Sequence, residues 1–175
     1  MRTVWAPRLP ETVWTPGADL LADWRVLAAG VGREAWTVEV AWVPDAVIAD
    51  LNGRYRGRHE VTDVLSFSEL APEGEGTPDL PAGAGRAAVD LWFPGGDRDD
   101  QAGSLVLAPR FVERRCRERG WDIAAELRLL VAHGLLHVVG WEHDTPARRR
   151  AMRRVEEALL AGIGWPHPLS GEEES

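Results

Sequence analysis

The sequence contains no lysine and only one cysteine, Cys116. A single cysteine cannot close an intrachain disulfide or supply a zinc knuckle built on cysteines. No apolar run reaches the roughly 20 residues that cross a bilayer, and the residues after Met1 lack the apolar core of a secretory signal. We therefore expect a soluble, cytoplasmic protein with no membrane partner.

Basic charge is scarcer than acidic charge, with 20 arginines against 28 acids and a net charge of −8. This balance argues against a general nucleic-acid binder. The charge is unevenly spread, because residues 60–100 hold ten acids and only two arginines. The arginines instead form three groups: Arg54, Arg56 and Arg58; Arg114, Arg115, Arg117 and Arg119; and Arg148, Arg149, Arg150, Arg153 and Arg154. A local basic surface is therefore compatible with the negative total.

Length and composition are those of one globular domain spanning residues 1–175. The chain is 45% hydrophobic and 27% charged, which are ordinary globular values. Residues 69–86 are rich in proline, glycine and glutamate and predict a long acidic loop. Residues 166–175 predict a flexible acidic tail.

The hydrophobic pattern predicts an α+β fold, with a small mixed β-sheet packed against about five helices. The predicted strands are Thr3–Ala6, Trp36–Val43, Val61–Phe67 and Ala87–Phe93. The predicted helices are one that carries Leu20, Trp24 and Leu27, followed by Ala46–Tyr55, Leu105–Arg119, Asp122–Val139 and Thr145–Ala161. The helix from Asp122 is apolar nearly all round, so we expect it to be central and buried.

Three of the five histidines, His133, His137 and His143, fall within eleven residues. The first two are four apart and share one helix face. Gly140 can end the helix and turn the chain back, so that the third can approach the first two. Three imidazoles with a fourth position open form a catalytic zinc site. We predict one Zn²⁺ per chain; a structural site is less favoured because it usually has four protein ligands.

The same spacing occurs in the zinc-peptidase signature H-E-x-x-H-x-x-G-x-x-H. Gly134 stands where that signature has its catalytic glutamate. The site lacks the general base that a peptidase uses. A zinc peptidase is therefore the less favoured of the enzymatic hypotheses.

Three segments together resemble the YbeY family of bacterial endoribonucleases. They are Leu51–Arg56 (LNGRYR), Thr62–Phe67 (TDVLSF) and His133–Asp144 (HGLLHVVGWEHD). Asp90 and Glu156 are weaker matches. The sequence departs from the family pattern at Ser68, usually proline, at Ala88 and Val89, and at Trp141 and Glu142, usually tyrosine and aspartate.

The resemblance implies a metal-dependent endoribonuclease, specific for single strands, in ribosomal RNA maturation and ribosome quality control. It implies that His133, His137 and His143 bind the metal, which activates water or polarises a phosphodiester. It also implies that Arg56 is a catalytic residue that stabilises phosphate charge. The expected partners are ribosomal RNA and the small ribosomal subunit, with no DNA. The alternative is a non-catalytic RNA-binding assembly factor with a structural metal.

Other residues are assigned less specifically. Asp63, Asp90, Glu142 and Asp144 are candidates for a base or for an acid that orients a histidine. We interpret Cys116 as a helix residue without chemistry and the tryptophans as packing groups, whereas His59 and His167 have no predicted role.

Overall fold

A computed structural model of the chain describes residues 2–3, 17–31, 37–69 and 101–167. The strands are β1 (Arg2–Thr3), β2 (Thr37–Trp42), β3 (Val64–Ser68) and β4 (Gln101–Leu107). The helices are α1 (Ala18–Val31), α2 (Asp45–Arg56), α3 (Pro109–Arg119), α4 (Ile123–Val138) and α5 (Pro146–Gly162). The predicted strand Ala87–Phe93, residues 70–86 of the predicted loop and residues 168–175 of the predicted tail lie outside the described residues.

The four strands form one mixed sheet in the order β1-β2-β4-β3. β2 pairs in parallel with both β1 and β4, whereas β3 and β4 are antiparallel. The prediction of an α+β fold is therefore confirmed, with a small mixed sheet and five helices within the described residues. None of the helices in the described ranges is long and apolar enough to cross a membrane.

The predicted helix Leu105–Arg119 is wrong over its first residues, because Gln101–Leu107 forms strand β4. Leu105 and Leu107 pack on one face of the sheet, and Val106 packs on the other. The sequence of a strand that is covered on both faces is a continuous apolar run, in which apolar and polar residues do not alternate. Periodicity alone cannot distinguish such a run from a helical segment.

Side chains pack against both faces of the sheet. On one face, Val38 and Trp42 of β2 lie in a cluster with residues of α1, α3 and α4, and Trp24 of α1 stacks on Trp42 at 5.2 Å between ring centroids. On the other face, Ile48 of α2 belongs to a cluster with Leu65 of β3. The sheet is thus the middle layer of the core.

Helix α4 is the central buried helix that the sequence predicts, because ten of its 16 residues are buried. It begins after Asp122, whose side chain accepts a hydrogen bond from the Ala125 amide at 2.8 Å. It ends at Val138, and Gly140 follows with a left-handed φ of 90°.

Helix α5 begins as its sequence predicts. The Thr145 side chain accepts a hydrogen bond from the Arg148 amide at 3.2 Å, and Pro146 occupies the first helical position. Its buried residues recur every fourth position, at Met152, Glu156 and Leu160. This stripe includes a charged residue, and its carboxylate reaches the histidines described next.

Candidate metal site

The C-terminal end of α4 and the turn after it bring three histidine rings together. The ring centroids of His133 and His137 are 4.7 Å apart, and those of His143 lie 5.3 Å and 5.0 Å from them. Each ring offers one nitrogen, and these three atoms lie within 4.8 Å of one another. The left-handed Gly140 makes this possible, because it turns the chain back after the helix.

The nitrogens of the first two rings are placed to share a cation. Nε2 of His133 and Nε2 of His137 are 3.2 Å apart. In a tetrahedral zinc site with Zn–N distances of about 2.0–2.1 Å, two ligand nitrogens lie about 3.3–3.4 Å apart. Two unprotonated Nε2 atoms at this distance repel unless a cation lies between them. The donor set therefore fits a zinc ion.

Further hydrogen bonds of two of the rings agree with this. Nδ1 of His133 lies 2.8 Å from Oε1 of Glu156 on α5. His137 has a hydrogen bond with the backbone of Trp141, which raises its pKa and therefore involves the carbonyl. Since a neutral imidazole carries one proton, the contact of Nδ1 with Glu156 leaves the Nε2 lone pair of His133 free to bind a metal.

The electrostatics keep His137 neutral. Burial, and then the charges of His133, His143 and Arg56, lower the pKa of His137 to about 4. A neutral imidazole is the form that binds metal, so the ring can act as a ligand at pH 7 without losing a proton.

Glu156 carries a charge within the core beside the cluster. Burial alone raises its pKa, but the hydrogen bond with His133 and the interaction with His167 lower the pKa to about 2. In the sequence Glu156 is only a weak match to the family pattern, and other acids lie closer to the histidines along the chain. Its 23-residue separation from His133 gives no local signal, although its place on the buried stripe of α5 is one sign of a special role.

Arg56 is the last residue of α2 and is exposed. Its charge contributes to lowering the pKa of His137, so its guanidinium lies within electrostatic range of the histidines. Arg54, two residues earlier, pairs with Asp50 at 2.8 Å. Arg56 has no ion-pair partner in the part of the chain that the structure describes, so its cation is available to an anionic ligand beside the cluster.

Gly134 lies in the interior, toward the sheet. A Cβ on this residue would lie 2.7 Å from Cδ2 of Leu105 on β4. A glutamate side chain would start inside the packed core instead of reaching the three histidines. The structure thus gives a steric reason for the glycine and a further argument against the peptidase hypothesis.

Comparison with known proteins decides the family. The family model described as Endoribonuclease YbeY matches residues 24–164. The chain belongs to the YbeY family.

Curated relatives share the family name. Endoribonuclease YbeY of Moorella thermoacetica is 42% identical over 137 residues, which cover 78% of each chain. Endoribonuclease YbeY of Xanthomonas oryzae pv. oryzae is 34% identical over 160 residues, 90% of this chain and 87% of that one. A solution structure of TM1509 from Thermotoga maritima has a TM-score of 0.47 and 20% identity over 92% of this chain and 97% of that chain.

The aspartate of the YbeY-like TDVLSF segment has a structural position. Asp63 accepts a hydrogen bond from Arg115 of α3 at 2.6 Å, and Arg115 also binds Glu126 in the first turn of α4 at 2.5 Å. Burial raises the pKa of Asp63, but the Arg115 interactions outweigh it and the net shift is downward. Glu126 is eleven residues from His137, about 16 Å along the helix. Asp63 therefore lies at the opposite end of α4 from the histidines.

The other acids that the sequence offers as a base or as an orienting group have different surroundings. Asp144 pairs with Arg148 at 3.0 Å on the exposed start of α5. Glu142 is half-buried between the turn and His143. Asp90 lies outside the described residues. Asp63 and Asp144 thus pair with arginines, whereas Glu156 contacts a cluster histidine.

Ser68, where the YbeY pattern usually has proline, contacts the end of α4. Its hydroxyl donates a hydrogen bond to the Val138 carbonyl at 2.7 Å. A carbonyl in the last turn has no partner within the helix. The serine therefore satisfies a backbone group next to the cluster and fixes the end of β3 against it.

The three arginine groups have different surroundings. On α3, Arg114 pairs with Asp45, and Arg117 pairs with Glu113. Arg119 lies over the Trp121 ring at 4.6 Å. This group is thus engaged within the protein. Within the three groups, the exposed arginines without an ion-pair partner among the described residues lie at or just after the end of α2 and on α5: Arg56, Arg58, Arg149, Arg150 and Arg154.

Proposed function

We propose that this YbeY-family protein is a metal-dependent endoribonuclease that cleaves single-stranded ribosomal RNA during rRNA maturation and ribosome quality control. The observation that carries the proposal is a cluster of three histidines within electrostatic range of Arg56, an exposed cation with no ion-pair partner among the described residues. The curated relatives named Endoribonuclease YbeY support the reaction class. The finer assignments are Zn²⁺ as the metal, the small ribosomal subunit as a partner and the cytoplasm as the location.

His133, His137 and His143 hold the metal in this proposal. A bound Zn²⁺ supplies a Lewis acid that activates water at neutral pH and polarises a phosphoryl oxygen. The protein's contribution is to present neutral imidazole nitrogens at a fixed spacing. The hydrogen bonds of Glu156 and the Trp141 backbone orient two of the rings for this purpose.

Arg56 is the proposed catalytic residue that contacts the phosphate. Its guanidinium matches the geometry of a phosphodiester and can donate two hydrogen bonds to it. Because negative charge grows on the phosphate during cleavage, a fixed cation stabilises the transition state more than the bound substrate. Its loss is expected to reduce cleavage more than binding.

The test measures metal content and cleavage of single-stranded ribosomal RNA together. Elemental analysis of the wild type is expected to give about one zinc per chain, and His137→Ala is expected to lose it. Arg56→Ala is expected to keep the metal and lose about 10²–10³-fold in cleavage rate, the usual effect of removing one transition-state donor.

Arg54→Ala is the matched control, because it removes an arginine from the same helix that is already paired with Asp50. It is expected to cleave within a few-fold of the wild type. Equal metal in the wild type and His137→Ala would contradict the ligand assignment. A metal-loaded wild type that binds RNA without cleaving it would instead support the assembly-factor alternative.

A further inference from the structure

We propose that Glu156 is the positioning residue of the metal site, and that His167, from the segment after α5, holds Glu156 in place. This inference rests on the proposed function, because it assigns roles around the same metal. It gives a role to a histidine that the sequence analysis left without one.

The contact of Glu156 fixes the ring of His133. Its side chain is buried, and Oε1 lies 2.8 Å from Nδ1 of His133. A carboxylate only accepts hydrogen bonds, so the proton lies on Nδ1 and the lone pair of Nε2 points toward His137. A carboxylate behind a metal-binding histidine orients the ring and makes it a stronger ligand.

His167 approaches the other oxygen of the same carboxylate. Its side chain is buried, and its Nε2 lies 3.5 Å from Oε2 of Glu156. The two histidines therefore lie on opposite oxygens of one buried acid. This arrangement restricts rotation of the carboxylate and keeps Oε1 directed at His133.

The segment that carries His167 is anchored separately. Gly164 has a left-handed φ of 76° and turns the chain at the end of α5. The amide of Trp165 then donates to the Leu160 carbonyl at 3.0 Å. The Trp165 ring lies 3.9 Å from the guanidinium of Arg128, a buried residue of α4 that pairs with Asp23. The position of His167 thus depends on packing against α4, the helix that carries two of the metal ligands.

The neighbouring residue supplies a matched control. Glu157 is partly exposed and pairs with Arg153 at 3.3 Å on the outer side of α5. Replacing it removes the same charge from the same helix without touching His133. A difference between Glu156 and Glu157 variants therefore reports on the histidine contact rather than on net charge.

The first experiment measures Zn²⁺ affinity by competition with a chromophoric chelator. Relative to the wild type, Glu156→Gln and Glu156→Ala are expected to bind zinc more weakly by about 10–100-fold, with alanine at the upper end. Glu157→Gln is expected to match the wild type. The thermal midpoint of each metal-free protein is recorded alongside. A lower metal-free midpoint with unchanged zinc affinity would show a packing role only and overturn the proposal.

Nitrogen-15 NMR of the metal-free protein provides a readout that does not depend on zinc. The wild type is expected to show His133 as the Nδ1–H tautomer, and Glu156→Ala is expected to lose that preference. If Glu156→Ala does not fold, the zinc affinity of Glu156→Gln tests the orienting role instead. A mixed tautomer in the wild type would overturn the orienting role.

The role of His167 is tested with a double-mutant cycle. His167→Ala is expected to weaken zinc binding in the wild-type background and to have no further effect in Glu156→Ala. Additive effects would overturn the claim that His167 acts through Glu156. A wild type that binds no zinc would overturn the proposed function itself, whereas a zinc-binding wild type with an unchanged Glu156→Gln would overturn only this inference.

Discussion

Protonation of single side chains decides whether the histidine cluster can bind a cation. His137 is neutral in the folded protein because its pKa is lowered from 6.5 to about 4. Glu156 remains ionised because its pKa is lowered to about 2. One group thus avoids a positive charge and the other retains a negative charge, and both conditions favour a bound metal ion.

These shifts predict that the metal-free protein loses stability on acidification. Between pH 6.5 and about 4 the unfolded chain binds a proton at His137 that the folded protein does not, so the free energy of unfolding falls as the pH is lowered. The contribution of Glu156 is lost lower, as the pH falls from 4.5 toward 2. Urea unfolding at several pH values measures both. In His137→Ala the decline between pH 6.5 and 4 is expected to be shallower, and an unchanged slope would contradict the assignment.

Gly134 is a second residue whose identity is restricted by its immediate neighbours, because Leu105 leaves little space for a Cβ atom. Gly134→Ala is expected to lower the free energy of unfolding by about 1–3 kcal/mol, because the added methyl group overpacks against Leu105. Gly162→Ala, in α5, has open space around its Cβ position and is expected to be neutral or stabilising by up to about 1 kcal/mol. Chemical denaturation of the two variants checks this. Equal effects would show that the contact with Leu105 is unimportant.

Helix α4 joins two different ionic arrangements. Its first turn carries Glu126, which shares Arg115 with Asp63, and its last turns carry two of the clustered histidines. The third histidine lies in the turn, and Glu156 lies on the next helix. The proposed metal would therefore bind α4 and the following turn at one point, with α5 in contact through a hydrogen bond.

Removal of the metal is expected to destabilise the fold as well as the site. A metal ion that binds the folded chain and not the unfolded chain stabilises the folded state by mass action. Its free energy of binding therefore adds to the free energy of unfolding. The thermal midpoint is expected to fall when a chelator removes the ion and to recover when zinc is added back. A midpoint that does not move, with metal loss verified by elemental analysis, would contradict this.

Local signals explain which elements the sequence could predict. Helix α5 follows from Thr145, Pro146 and its buried stripe, and the turn at Gly140 follows from its position after the second histidine. Strand β4 could not be recognised, because a strand buried on both faces has no alternation. The role of Glu156 could not be predicted either, since its partner lies 23 residues away on another helix. The TDVLSF segment is recognisable in the sequence as a family motif. The position of its aspartate, Asp63, is explained only by the structure, which shows its ion pair with Arg115.

The whole molecule must reconcile a net charge of −8 with an RNA substrate. The structure limits which arginines can help. The group on α3 is engaged with acids and aromatic rings. Arg56, within electrostatic range of His137, and Arg58, two residues later, lack ion-pair partners in the described ranges. The basic surface is thus expected to be small and confined to the site and to α5.

RNA binding is accordingly expected to weaken as salt rises, by release of counterions from the phosphates. Arg58→Ala is expected to reduce the slope of log K against log salt by about 0.7, the value for one lost phosphate contact on a single strand. Arg117→Ala, whose side chain pairs with Glu113, is the control and is expected to leave the slope unchanged. Titrations at several salt concentrations measure both slopes. RNA binding that does not depend on salt would contradict the prediction that a basic surface binds the phosphates.

The contact between Gly134 and Leu105 also limits how this protein can evolve. A nuclease with peptidase-like histidine spacing needs a glutamate after the first histidine to approach the peptidase signature. Here that single substitution would press a side chain into strand β4 before it could offer any new chemistry. To make room, the Leu105 side chain would have to shift or be replaced by a smaller one, and a smaller residue alone would leave a cavity in the core. A step toward the peptidase signature therefore costs stability at residue 134 unless residue 105 changes with it.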